Sequence, residues 1–577
     1  MERNEYPRPQ FRRDHWQSLN GLWEFEFDDA DNGMMRGLFA GNTALKTNIL
    51  VPYSYQYEAS GIGDTTQHNT VWYRRSFVIG KENRGKRALL CFNAADYRTD
   101  VWVNGCFVTR HTGGFSPFHA DMTGYLKDGE NTLVVRCVDP LDNTQPRGKQ
   151  SWTGERFGCY YIPNTGIWQS VWIEFFSEDC ISSYSLQPDV DHCAVYGYIE
   201  THHALADELE IVLTFRDKII KTQRFSCDGR RTRFTVILAD NAFSINDMMW
   251  WIDRPNLINV DFRLYRDGRL CDEAHTRFGM RKISVDSWGK ICLNNTPLYQ
   301  RLILDQGYWP ESGLTPPSAE ALKKDIILAK AMGFNGARKH QKLEDPYFYY
   351  YADDLGYLTW CEMPSAYTFT EQEMQAVICE WQEILAAAKN FTSVVAYVPL
   401  NECWGAWGIQ TDKRQQNFAK SLYDLTRAVD DTRLVSTNDG FGNIEDSDIL
   451  SIHDYDIRRA EDFPVKYHGG YDGMYPQSFA LLADGHRYKG QPVLLTEFGG
   501  IAFVRDQKGE AWGYGCGAKD ADELCARLTE LIKGIAMTEF QGYCYTQLTD
   551  VQQEVNGLLY FDRTPKVEPK RLKEIFG

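Results

Sequence analysis

Two rhythms of apolar and polar positions divide the chain. Up to about residue 180, short apolar runs alternate with turn residues. TVWYRRSFVI alternates in part, and DVWVNGCFVTR sets Asn104-Gly105 between two apolar runs. That dipeptide in that setting signals a two-residue hairpin. NTLVVRCVD and GIWQSVWIEFF continue the series, and the pattern predicts a β-sandwich over 1–180. From 181 to 280 the strand-like runs become more polar, as in YGYIETHHA, LEIVLTFRD, TRFTVILAD and LINVDFRLYRDG. A second sandwich, of immunoglobulin-like type, fits that length.

From 281 to 577 apolar runs alternate with helical stretches. SAEALKKDIILAKAMG has Ser318 as an N-cap and Gly333 as a stop, with Leu322, Ile326, Ala329 and Met332 on one helical face. Eight strand candidates follow one another: LYQRLILD, FNGARKH, YLTWCEMP, VVAYVPLNE, LVSTND, ILSIHDYD, PVLLTEFGG and GYCYTQLTD. Eight β/α units predict a (β/α)₈ TIM barrel, whose active site lies at the C-terminal ends of its strands.

Length agrees: 577 residues correspond to roughly three to five domains at about 100–200 residues each. Composition narrows the function. A formal net charge of −17 argues against nucleic acid or an anionic membrane face as partner. No apolar run of about 18 residues predicts a membrane span. The N-terminal MERNEYPRPQFRRDHW has no apolar core of a signal peptide, so a cytoplasmic location is expected, although a leader cleaved from a precursor stays open. The fifteen cysteines are irregularly spaced and read as reduced thiols. With no metal-binding motif, neither metal nor cofactor is expected. Assembly into a homo-oligomer is left open.

Two strand candidates end in one glutamate each, Glu402 in YVPLNECWG and Glu497 in PVLLTEFGG. One such acid alone reads as a solvated loop residue or a turn cap. Two on the rim of one barrel can face each other, and a carboxylate pair is the minimal equipment for glycoside hydrolysis.

These two segments resemble the acid/base and nucleophile segments of glycoside hydrolase family 2, which includes β-galactosidases, β-glucuronidases and β-mannosidases. VWYRRSF, DVWVNG with HTGGFSPFHADMTGYLKDGENTL, and GIWQSVWIE are similar to its jelly-roll sugar-binding domain. The middle segment corresponds to its immunoglobulin-like domain. GFNGARKHQKLEDPYFYYYADDLGYLTWCEMP is similar to the second and third strands of its barrel.

The resemblance implies Glu402 as acid/base, Glu497 as nucleophile, Asn401 as a partner of the sugar 2-hydroxyl and Tyr455 as a donor to the nucleophile. Arg338 and His340 would floor the sugar pocket. Glu362 closes the third strand, either in the pocket or as an ion-pair partner. Asp305, ending LYQRLILD, joins the substrate-binding candidates. Lys339, Gln341-Lys342, His453-Asp454, and Gln547 with Asp550 depart from the family pattern and put the sugar in doubt.

The expected activity is that of a retaining, exo-acting glycosidase on a carbohydrate substrate, with β-D-galactosides first. β-Glucuronides, β-galacturonides and α-L-arabinosides are the alternatives within the family. A non-catalytic carbohydrate-binding protein is the alternative of another class. Family β-glucuronidases hold the uronate with an Asn-x-Lys motif. The nearest segment here has Leu558 at the lysine position, which leaves Lys342 as the candidate cation, or as a solvated loop lysine.

Overall fold

The computed structural model describes residues 3–504 and 511–577. The first sheets run between Trp16 and Phe176 and face each other as a sandwich. One has six strands and the other four. Trp23, Phe25, Leu90 and Ile173 are buried between them. Val103 pairs with Cys106 across Asn104-Gly105, and both turn residues have positive φ, as the hairpin reading requires. A second sandwich of three and four strands spans Ile181–Phe278 around Ile211, Val260 and Phe262. Buried Arg13 ties the two sandwiches together, with Glu174 of the first and Asp272 of the second as partners.

The third unit is the barrel. Its parallel strands are β1 (Gln300–Asp305), β2 (Gly336–Lys339), β3 (Leu358–Glu362), β4 (Val394–Val398), β5 (Leu434–Val435), β6 (Leu450–Asp454), β7 (Val493–Gly499) and β8 (Gly542–Thr546). The hydrogen-bonded order is β5-β4-β3-β2-β1-β8-β7-β6. Beyond β4 and β5 the pairing resumes, with Leu400–Asn401 against Asn438–Asp439. The fold class is therefore the one that the apolar rhythm implies. The helix after β1 covers Ala319–Ala331, and the Ser318 side chain accepts from the Ala321 N–H. Its Leu322, Ile326 and Ala329 are buried against the barrel.

A loop of the first sandwich reaches onto the barrel mouth. Ser365 O accepts from Arg147 N (2.9 Å) and Gly148 N (3.0 Å). Further along, Gln553 Nε2 donates to the carbonyls of Gly158 and Tyr160, at 2.8 and 2.9 Å. Gly148 has φ +58°, and a Cβ there would lie 2.4 Å from Gln341 O, so only glycine permits this approach. No helix among the described residues is long and apolar enough to cross a membrane.

Candidate active site

The mouth of the barrel collects the strand-end polar groups. Glu402 follows the short pairing beyond β4 with φ +51°, and its N–H donates to Asp439 O at 2.8 Å. Its side chain is 23% exposed, whereas that of Glu497, on β7, is 5% exposed. One carboxylate oxygen of each, and a ring nitrogen of His453, all lie within 4.8 Å of one another.

Arg338 is fully buried at the centre of the floor. Its Nε donates to Glu362 Oε1 (2.6 Å) and its Nη2 to Asn401 Oδ1 (3.0 Å). Nη1 lies 3.0 Å from Asp439 Oδ1 and 3.2 Å from Glu497 Oε1. Burial opposes this charge, but Asp439, Glu362 and Glu497 outweigh it and raise the guanidinium pKa. His340 Nδ1 lies 2.8 Å from Glu362 Oε2. Burial pushes the Glu362 carboxyl up, but Arg338 and His340 hold it below its ordinary value. Tyr455 OH donates to Glu497 Oε2 at 2.6 Å.

Glu402, Asn401, Arg338, His340, Glu362, Tyr455 and Glu497 thus belong to one constellation. Asp305 sits apart from it. Its Oδ2 takes Lys339 Nζ at 2.8 Å and its Oδ1 accepts from Gly307 N at 2.9 Å. Lys342 is not a solvated loop lysine. It is buried against Glu344 (3.0 Å) and donates to the Gly307 carbonyl (2.9 Å). Burial lowers its pKa. At the position of the uronate-binding lysine, Leu558 is fully buried.

Four further features shape the site; the sequence marks only one of them, His453, and only as a departure from the family pattern. Asp439 lies beyond the broken β5 and closes the floor. His453 stands between Glu402 and Asp439, with 2.7 Å to each. Lys149, 8% exposed, comes from the sandwich loop. Burial works against its charge, yet Cys159, Glu554, Glu402 and Glu497 together keep its pKa raised. The fourth feature is a set of aromatic walls. A cavity of about 290 Å³ opens over Glu402 and is lined by Trp404, Trp407, Phe441, Phe479, Tyr455 and Tyr514. Phe441 and Phe479 stack at 4.5 Å, and Trp404 meets Trp407 edge-on at 4.3 Å. A larger cavity, about 430 Å³, lies where both sandwiches meet the barrel, and neither strand-end glutamate lines it.

Two donor sets among the described residues could surround a cation: Glu402 with His453 and Glu497, and Asp121 with His202 and His203. In the first, the Arg338 guanidinium already lies against Glu497. In the second, Asp121 Oδ2 already takes Arg87 Nη2 at 2.5 Å. Neither arrangement calls for a metal.

Two family models match in order along the chain. "Glycosyl hydrolases family 2, sugar binding domain" covers residues 16–153, and "Glycosyl hydrolases family 2" covers 181–281. The chain is 23% identical over 436 residues to a β-galactosidase of Thermoanaerobacter pseudethanolicus, covering 72% of this chain and 53% of that protein. It is 24% identical over 491 residues to a putative β-glucuronidase of Formosa agariphila, covering 80% and 54%. The chain spans about half the length of these curated relatives. Among solved structures, a β-glucuronidase from Ruminococcus gnavus in complex with D-glucaro 1,5-lactone superposes over the whole of both chains, with TM-score 0.76 and 19% identity. A β-glucuronidase of an uncultured Clostridium covers 98% of each chain, with TM-score 0.77 and 20% identity. These two likenesses concern the fold. Residues 16–153 and 181–281 thus match glycosyl hydrolases family 2, in that order along the chain.

Proposed function

We propose that this chain is a retaining, exo-acting β-glycosidase of glycosyl hydrolases family 2. The observation that carries the reading is the approach of Glu402 and Glu497 from β4 and β7, with an oxygen of each within 4.8 Å. This proximity is compatible with the class in which the carboxyl groups stand about 5–5.5 Å apart.

In the first step a Glu497 oxygen attacks the anomeric carbon while the bond to the leaving oxygen breaks. The electron pair of that bond goes to the leaving oxygen, which takes a proton from Glu402. In the second step Glu402, now a carboxylate, takes a proton from water as the water oxygen attacks the anomeric carbon. The bonding pair then returns to Glu497. Tyr455 and Arg338 each hold one of the two oxygens of Glu497. Asn401, held by Arg338, faces the sugar 2-hydroxyl in this reading. The sandwich loop carrying Lys149 is bonded to Ser365 beside the barrel mouth, and in this reading it limits the site to the end of a glycan chain.

For the sugar, a neutral β-D-galactoside is proposed first. A uronate would require a cation to offset the loss of water around its carboxylate. Leu558 offers none, and Lys342 is committed to Glu344. Lys149 supports a second reading, a uronide whose carboxylate it would meet. Glu554, on which Lys149 also acts, balances that charge.

The test is kcat/KM on a nitrophenyl panel of β-galactoside, β-glucuronide, β-galacturonide and α-L-arabinoside in one buffer. A carbohydrate-binding protein without catalysis would release no nitrophenol from any of them.

A further inference from the structure

His453 is fully buried on β6 between groups that accept hydrogen bonds. Nδ1 lies 2.7 Å from Glu402 Oε1, and Nε2 lies 2.7 Å from Asp439 Oδ1 and 3.5 Å from Glu497 Oε1. A neutral imidazole has one N–H and one lone pair, so it could satisfy only one of the two close carboxylates. Asp439 is held ionised by Arg338 Nη1 at 3.0 Å, and its Oδ2 accepts from Ser436 Oγ at 3.0 Å. While Glu402 is ionised, the ring meets both carboxylates only by donating from both nitrogens.

Its surroundings agree. Burial pulls the imidazole pKa down, but the charge of Glu497 and the hydrogen bonds to Asp439 and Glu402 raise it to about 10. The charged groups facing the ring are Glu402, Asp439, Glu497 and Arg338. Glu402 is faced in addition by Lys149 and His340. Burial pushes the Glu402 carboxyl up, and the bond from His453 outweighs it and holds the carboxyl below its ordinary range. The backbone accommodates this placement. Gly440 has φ +111°, and a Cβ there would lie 2.7 Å from His453 Nδ1.

Resting on the glycosidase reading above, we propose that His453 is a positioning residue of the acid/base Glu402. Held as an imidazolium by Asp439, it engages one Glu402 oxygen, leaves the other for the leaving group, and stabilises the carboxylate that remains after the proton has gone. Glu402 thereby becomes a stronger acid, at the cost of being protonated over a narrower range of pH.

The test is the pH dependence of kcat/KM for His453→Asn, on a nitrophenyl and an alkyl glycoside of the sugar that the wild type prefers. Loss of the cation raises the Glu402 pKa, so the alkaline limb should move to higher pH. The rate loss should be roughly 10²-fold for the alkyl glycoside and much smaller for the nitrophenyl one, which needs little protonation. A misfolded variant is recognised with an activated 2-deoxy-2-fluoro glycosyl fluoride. It needs no acid, so it should label Glu497 in the variant within about tenfold of the wild-type rate.

An unmoved or lowered alkaline limb, an equal loss on both substrates, or failure of labelling would overturn the proposal. A wild type that cleaves no glycoside would instead defeat the reading on which it rests, and the proposal with it.

Discussion

Tyr455 OH donates to Glu497 Oε2 at 2.6 Å and lies 2.9 Å from Thr546 Oγ1, so the Glu497 carboxylate is oriented by a donor that is itself held by β8. On the other oxygen, Arg338 Nη1 lies 3.2 Å from Oε1. Tyr455→Phe should lower kcat by roughly 10²-fold with little change in KM, since the ring stays and only the donor is lost. Steady-state kinetics on the preferred nitrophenyl glycoside checks it. A change in KM alone would speak against a role on the nucleophile.

The two glutamates should separate by chemistry. Glu497→Gln should abolish turnover of every glycoside. Glu402→Ala should retain substrates with good leaving groups, and added azide should rescue it, yielding a β-glycosyl azide. An α-azide from the Glu402 variant would mean that the roles are reversed.

Arg338 pairs with Glu362, Asp439 and Glu497 while fully buried, so Arg338→Met leaves buried carboxylates without their cation. Denaturant unfolding should show a loss of about 3–5 kcal/mol. The sign with pH follows from the depressed carboxyls of Glu362 and Asp439. Their contribution is present above the unfolded carboxylate pKa values and fades as pH falls through the folded ones. The variant should therefore lose less stability than the wild type on acidification. A parallel acid loss in both proteins would contradict this.

Lys149→Met separates the two sugar readings. If the glycone is a uronide, kcat/KM on it should fall by roughly 10²-fold, as for loss of a buried charge partner, while any neutral glycoside is little affected. If a neutral sugar is preferred, the change should stay within about tenfold for every member of the panel.

Trp407 and Phe479 are each 49% exposed beside Glu402, where the proposed acid/base role would place the leaving group. Trp407→Ala should weaken kcat/KM for aryl glycosides by roughly tenfold through lost stacking, and alkyl glycosides much less. Equal losses on both would remove the aromatic wall from substrate binding.

How much of this was legible in the chain differs from residue to residue. Glu402 and Glu497 could be found because the β/α rhythm fixes where strands end, and a barrel places those ends on one rim. Arg338 and His340 share strand parity, and both reach Glu362. Asp439 was hidden because β5 is only Leu434–Val435, with pairing resuming beyond it at Asn438–Asp439. Lys149 carries no local signal, since a loop of another domain delivers it. Asp305 and Lys339 read as separate positions on neighbouring strands. Their pairing at 2.8 Å follows from β1–β2 register, which sequence spacing does not give. The aromatic walls come from loops, whose course no apolar period encodes.

Double displacement at Glu497 is tested by proton NMR of the sugar first released from the most readily cleaved nitrophenyl β-glycoside. The β-anomer should appear first and turn into the equilibrium mixture only afterwards. An α-anomer appearing first would mean direct attack by water, and would contradict it.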